Sequence, residues 1–430
     1  MNLRVSDEFF FSEKKYQVIF FWVPIATLFL ITNIAQDTLA VLLVQPFIYF
    51  QPFIPSQFAS LTPERFIEKI ILPTEETLFF YSFIMLVFAF IKSLNPSVFG
   101  KGMFDRCFKW QYVFIMMILS VLVSNILVKS MGAGYLQISV DPFNQMTNWY
   151  YRRLLVPALA YFTHLNGIFY HIFFYFLVYV LIAYSVRVLS IKSTWQLVSI
   201  FSSGFVVYQF QFPGYVEVLV GVLFLIAFTQ ELSRYQRAIL LSLALITHES
   251  AAIFMFAPLL FLVDSWKDRF FYASIVLLYV FTVLMNFSFD INNLVSLQTS
   301  VGATSSFDYL KQNLDYGAYG IFFSYKVLWV FYFWYLFLNV SAKEKAFVSC
   351  VVLLPLLQIF IAVDISRLVA FGFLGIFLAI KAVFESSQKK QLINALLILN
   401  LVVPSYYVGT NTGVLEFNGL YKVYSYIINE

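Results

Sequence analysis

Apolar runs of about 20 residues recur along the chain, and no other feature constrains the fold as much. About 20 apolar residues is what a helix needs to cross roughly 30 Å of hydrocarbon. Such runs stand clear at 16–36, 77–94, 111–130, 168–189, 194–211, 215–230, 270–287, 320–340, 346–363, 367–386 and 391–408. The stretch 39–55 is apolar but broken by Pro46, Pro52 and Pro55, and 237–263 carries His248 and Glu249 at its middle. Composition points the same way. The chain is 61% hydrophobic and 12% charged, whereas a soluble domain carries about 25% charged residues. That is too little charge to cover a water-facing surface, so lipid must cover it. The expected fold class is all-α, a polytopic transmembrane helical bundle of about 11–13 spans.

Lys and Arg set the orientation, because loops left in the cytoplasm keep an excess of them. Lys14 and Lys15 put the N-terminus inside and abut a run long enough to stay as a signal anchor. Lys92, Lys101, Arg106 and Lys109 mark the next inner loop, followed by Arg187 with Lys192, Arg234 with Arg237, Lys267 with Arg269, Lys343 with Lys345, and Lys389 with Lys390. Both flanks of 237–263 are basic. That segment is therefore read as a re-entrant or broken helix with His248-Glu249 at its apex, each arm reaching ~16–20 Å into the bilayer. Its alternative is one continuous span. Residues 1–110 form an N-terminal transmembrane extension and 111–430 the transmembrane core, with outer loops at 131–167 and 288–319. The second of these loops is long, polar and rich in Ser, Asn and Gly, as binding loops and lids often are.

Several function classes drop out. The net charge of +4 is small and spread over loops, with no basic run to track a nucleic acid. Cys107 and Cys350 read as lone thiols. Besides His248 the chain has only His164 and His171, and no HExxH spacing, so no metal site or other cofactor is expected. A requirement for a divalent metal is left open.

Ionisable groups in a membrane are costly and mark function by default. Five places stand out. The segment Met131–Pro157 holds Asp141, the aromatics Trp149, Tyr150 and Tyr151, and the pair Arg152-Arg153. These arginines fall on the outer side, where either snorkelling or a phosphate clamp explains them, since a guanidinium fork fits phosphate oxygens. Thr247-His248-Glu249-Ser250 is a polar cluster at a helix break. Asp364 and Arg367 stand three apart and can pair locally or face a phosphate. Glu217 begins a span and can pair with one of the arginines. Asp37 ends the first span and reads as a boundary residue.

These residues also resemble a family pattern. The run DPF…WYYRRLLVPALA from Asp141 to Ala160 is similar to a segment of bacterial GT-C-type, mannosyltransferase-like membrane glycosyltransferases. ThrHisGluSer at 247–250, Tyr215-Val216-Glu217 and Asp364-Ile365-Ser366-Arg367 resemble that family's helix break, acidic position and late D-x-x-R, in order. The resemblance spans about 131–370. It implies a GT-C-like core, a polyprenyl-phosphate-type sugar donor, a glycan or lipid acceptor, surrounding membrane lipid, and work at the outer face of a bacterial inner membrane. It further implies a carboxylate base and arginines that stabilise the leaving phosphate. The family's loop acid falls at Ala133 or Gly134, where no carboxylate stands; Asp141 is the first choice as catalytic replacement, Glu217 or Asp37 the alternatives, and a chain that is not a transferase the last. The expected substrate contacts are Arg152, Arg153, Tyr150, Tyr151, Glu217, His248, Glu249, Asp364 and Arg367. A Wzy-like polysaccharide polymerase or ligase is the second reading. A flippase or transporter and an assembly protein are non-enzymatic ones.

Overall fold

A computed structural model describes Tyr81 and residues 109–123, 131–144, 153–252, 263, 265–286, 306–360, 364–403, 405–409 and 413–416. The expectations for Asp37, Tyr150, Tyr151 and Arg152, and for the runs 16–36 and 39–55, lie outside these residues. The described part is all-α apart from one small hairpin. The chain divides into two compact units, one of residues 1–5 and 127–415, the other of 6–126 and 416–430. Helix α1 (Trp110–Val123) belongs to the second unit. There Tyr81 and Ser120 share a buried hydrogen bond of 2.7 Å.

The first unit holds α2 (Met131–Ile138), α3 (Leu155–Phe162), α4 (Tyr170–Leu189), α5 (Thr194–Phe201), α6 (Gly204–Gln211), α7 (Glu217–Thr229) and α8 (Arg234–Thr247). Then come α9 (Trp266–Asn286), α10 (Ser306–Tyr325), α11 (Leu328–Leu336), α12 (Ala342–Leu353), α13 (Ile365–Val369), α14 (Phe373–Ser386) and α15 (Lys390–Val402). The strands β1 (Tyr406–Gly409) and β2 (Gly413–Glu416) pair after them. Among the described residues, two helical stretches are long and apolar enough to cross a membrane, Gly167–Leu189 and Ile365–Ser386.

Other apolar runs are broken, each for a local reason. The run 194–211 divides at Ser202-Ser203, where Gly204 takes a φ of 72°, a left-handed conformation that glycine reaches at no steric cost. The run 320–340 divides at Lys326, itself left-handed. Pro355 tightens the end of α12 into a 3-10 turn, because it has no N–H for the helix ladder. Pro404 follows α15, and the chain continues as a strand. The loop expected over 288–319 instead turns helical at Ser306. Phe307, Leu310 and Leu314 carry a helical period under the polar residues that made the segment read as a loop.

Local signals start the helices. Ser233 accepts from the Gln236 N–H while Gln236 reaches back to the Ser233 N–H, a reciprocal cap worth ~1 kcal/mol. Ser341 caps α12 through the Glu344 N–H at 3.2 Å.

Contacts sort the helix ends. Tyr170 donates to the Gly214 carbonyl at 2.9 Å, so α4 and α7 begin together and run parallel. Phe228 meets Phe347 at 6.3 Å between ring centres, placing the end of α7 against the first half of α12. Arg234 pairs with Asp268 at 2.8 Å, so α8 and α9 start side by side. Gln196 donates to Asn394 at 2.9 Å, joining the starts of α5 and α15. The basic residues Arg234, Lys267, Arg269, Lys343 and Lys345 thus stand at one end of these helices. The Arg234–Asp268 pair brings the starts of α8 and α9 to the same end.

Close packing depends on small residues. A Cβ on Gly221 would fall 2.4 Å from the Phe205 ring and 3.1 Å from Leu181. Phe205 itself stacks on Phe373 at 4.7 Å, so α7 can approach only without a side chain. Overpacking of this kind costs about 1–3 kcal/mol. Gly221→Val is expected to lower the thermal midpoint of the detergent-solubilised protein by several degrees, and an unchanged midpoint would disprove the close approach.

Candidate functional site

The site forms at the opposite end of these helices, where several begin or stop. Pro213-Gly214 turns the chain, Gly214 with a φ of 93°, and α7 starts on Glu217. The N-terminus of a helix favours a carboxylate through its free N–H groups and dipole. Helix α8 stops at Thr247, and His248 is extended. This is the break expected within 237–263. Asp364 precedes α13, and Arg367 stands in its last turn.

These breaks converge. The Glu217 side chain is 2% exposed, and its Oε1 lies 3.1 Å from Arg367 Nη1 and 3.4 Å from His248 Nε2. His248 Nδ1 accepts the Ser250 N–H at 3.1 Å. A ring nitrogen that accepts carries no proton, so the ring proton stands on Nε2, on the Glu217 side. Arg367 also pairs with Asp364, and the Tyr407 hydroxyl donates to the other Asp364 oxygen. The Arg367 guanidinium rests over Tyr215 at 4.6 Å and Phe212 at 5.4 Å, a cation–π seat in a water-poor place.

A second pair lies beside the first. Arg153 holds Glu249 with two parallel hydrogen bonds, Nη2 to Oε1 at 2.7 Å and Nε to Oε2 at 3.1 Å. Its Nη1 donates to Tyr135 at 2.9 Å, and Tyr135 meets Tyr215 edge-on at 6.2 Å. Burial works against the charge on Arg153, but Tyr135 and the Glu249 carboxylate more than offset it, and the guanidinium titrates well above its usual range.

Of the expected site residues, the structure therefore joins Arg153, Glu217, His248, Glu249, Asp364 and Arg367. Asp141 stands apart, exposed in the turn after α2, and makes no ion pair among the described residues. It nevertheless follows Tyr135 by fewer than two helical turns. No group of His, Cys, Asp and Glu suited to a metal occurs among the described residues. The sequence reading missed Tyr135 and Tyr407, two tyrosines among 28, with nothing local to single them out. It also missed Lys326, which a sharper reading of IFFSYKVLWV had a signal for, since one lysine in an apolar run is an anomaly.

The cluster holds three carboxylates against two guanidiniums, and it is buried at its centre. Both Glu217 oxygens, Arg367 Nε and His248 Nε2 are buried without a hydrogen bond of good geometry. Such an arrangement is costly to assemble and costlier to break. Comparison with protein-family models, with curated proteins and with solved structures finds no match.

Arg367→Met would leave the Glu217 carboxylate buried without the guanidinium nearest to it. It is expected to destabilise the unit by about 3–5 kcal/mol. Glu217→Gln added to Arg367→Met is expected to restore part of that loss in thermal unfolding. Equal stability of the single and double variants would remove the pair from the account.

Proposed function

We propose that the chain is a multi-pass membrane glycosyltransferase of GT-C-like architecture that moves a sugar from a polyprenyl-phosphate-type donor to a glycan or lipid acceptor. The observation that carries this reading is the convergence itself. Six charged or titratable side chains from four separate stretches meet at one end of an apolar helical unit, away from its basic end. Scattered boundary residues would not gather so. Large apolar side chains stay exposed on α9 and α15, Leu277 at 65%, Phe270 at 75% and Val402 at 70%. That surface suits lipid better than water. In this reading the basic end faces the cytoplasm and the cluster faces outward, and 237–263 is a re-entrant pair with His248-Glu249 at its apex.

The chemistry follows from which groups are committed. Glu217, Glu249 and Asp364 are each held by an arginine, so they serve to orient cations. Asp141 is uncommitted and exposed, and it takes the part of the base that receives the acceptor hydroxyl's proton. Arg153, at the more open edge of the cluster, meets the negative charge that develops on the departing lipid phosphate, with Arg367 behind it. Arg152 is a further candidate beside it in sequence.

Transfer of labelled sugar from a polyprenyl-phosphate hexose to membrane acceptors is the direct test. Arg153→Ala and Asp141→Asn are each expected to lower the rate about a hundredfold or more. Wild-type rates in both sink the assignment. Orientation has its own test, in a background without Cys107 and Cys350. Glu231→Cys and Asn144→Cys are expected to react with a membrane-impermeant thiol reagent from opposite faces, and labelling from one face contradicts the topology.

A further inference from the structure

Consecutive residues at the start of β1 are tied to different parts of the unit. The Ser405 hydroxyl donates to the Ser202 carbonyl at 2.8 Å and receives the Lys326 ammonium at 3.0 Å. The Tyr406 carbonyl accepts from Tyr208 at 3.3 Å. The Tyr407 hydroxyl donates to Asp364, and the Val408 N–H donates to Ser366 Oγ at 2.9 Å. Asp364 and Ser366 flank the start of α13, the short helix that carries Arg367. The Tyr407 ring also packs on Phe212 at 5.0 Å, one of the two rings facing the Arg367 guanidinium.

Lys326 fits the same scheme. It is 1% exposed and left-handed, and it makes no ion pair among the described residues. Its ammonium instead donates to Ser405 Oγ and to the Val403 carbonyl, each at 3.0 Å. A buried cation facing only neutral acceptors is expensive. These two acceptors stand at the end of α15 and just before β1. Lys326 thus fixes the point from which the strand departs.

We propose that residues 405–408 are a positioning strap, anchored by Lys326 and ending in the Tyr407 hydroxyl on Asp364, that sets the direction of Arg367 in the site. With Asp364 held by Tyr407, it takes Arg367 Nη2 and leaves Nη1 turned to Glu217. Tyr407 and Lys326 are positioning residues and touch no reacting atom. The kinetic side of this inference rests on the proposed transfer, and its mechanical side does not.

A double-mutant cycle on the full-length protein tests both sides. Tyr407→Phe keeps the ring and removes the hydroxyl, and Lys326→Met keeps the length and removes the charge. Each is expected to lower kcat about tenfold with KM within about twofold. The double variant is expected to be no slower than Lys326→Met alone, because a strand without its anchor no longer delivers Tyr407. Wild-type kcat in Tyr407→Phe, or multiplying losses in the double variant, overturns the strap. If Lys326→Met does not fold, Ser405→Ala takes its place in the cycle. If the wild-type protein transfers no sugar, the proposed function fails, and the cycle is read by thermal unfolding. Coupled losses there uphold the strap, and additive ones overturn it.

Discussion

The Glu217–Arg367 ion pair is the contact around which the rest of this unit is arranged. A carboxylate almost wholly removed from water must have an opposite charge against it. Glu217 opens α7, and Arg367 stands just inside the helix that leads to α14. Their pairing therefore pins two helix starts to one point. His248 adds the end of α8 to the same point. Helices that would otherwise slide along apolar faces, where one register packs almost as well as the next, acquire a unique register from a contact that cannot slip.

Once that pair is fixed, the other polar residues find their places around it. Asp364 takes the second arm of Arg367, and Tyr407 takes the second oxygen of Asp364. Tyr215 and Phe212 give the guanidinium a face to rest on. Arg153 and Glu249 form their own bidentate pair next to it, joined through Tyr135 and Tyr215. The site lies where the helices break, and that is a physical necessity. An unbroken helix spends its N–H and C=O groups on itself and presents only side chains. A break frees backbone groups and brings several polar side chains to one depth, where they can satisfy one another.

Much of this was legible in residue types. The missing charge of the composition pointed to lipid, and His248-Glu249 marked a break. The same charges singled out Arg153, Glu217, Asp364 and Arg367 as out of place in apolar surroundings. What was not legible is instructive. The helix from Ser306 hid beneath polar residues whose helical period was carried by Phe307, Leu310 and Leu314 alone. The runs 194–211, 320–340 and 391–408 looked continuous because hydropathy averages over the single residues that interrupt them. Tyr407 looked like any other tyrosine, since its role comes from a carboxylate 43 residues away.

The sequence by itself determined the helical class and the shortlist of costly charges, because each follows from preferences and transfer energies that belong to a residue type wherever it stands. Only the tertiary structure decided which acid meets which base. Arg153 and Glu249 are 96 residues apart along the chain, and neither residue's identity selects the other. That choice is made by the direction in which each helix leaves its break and by the glycines that let the helices close. It is also made by a strand, anchored on Lys326, that holds the start of α13 in place.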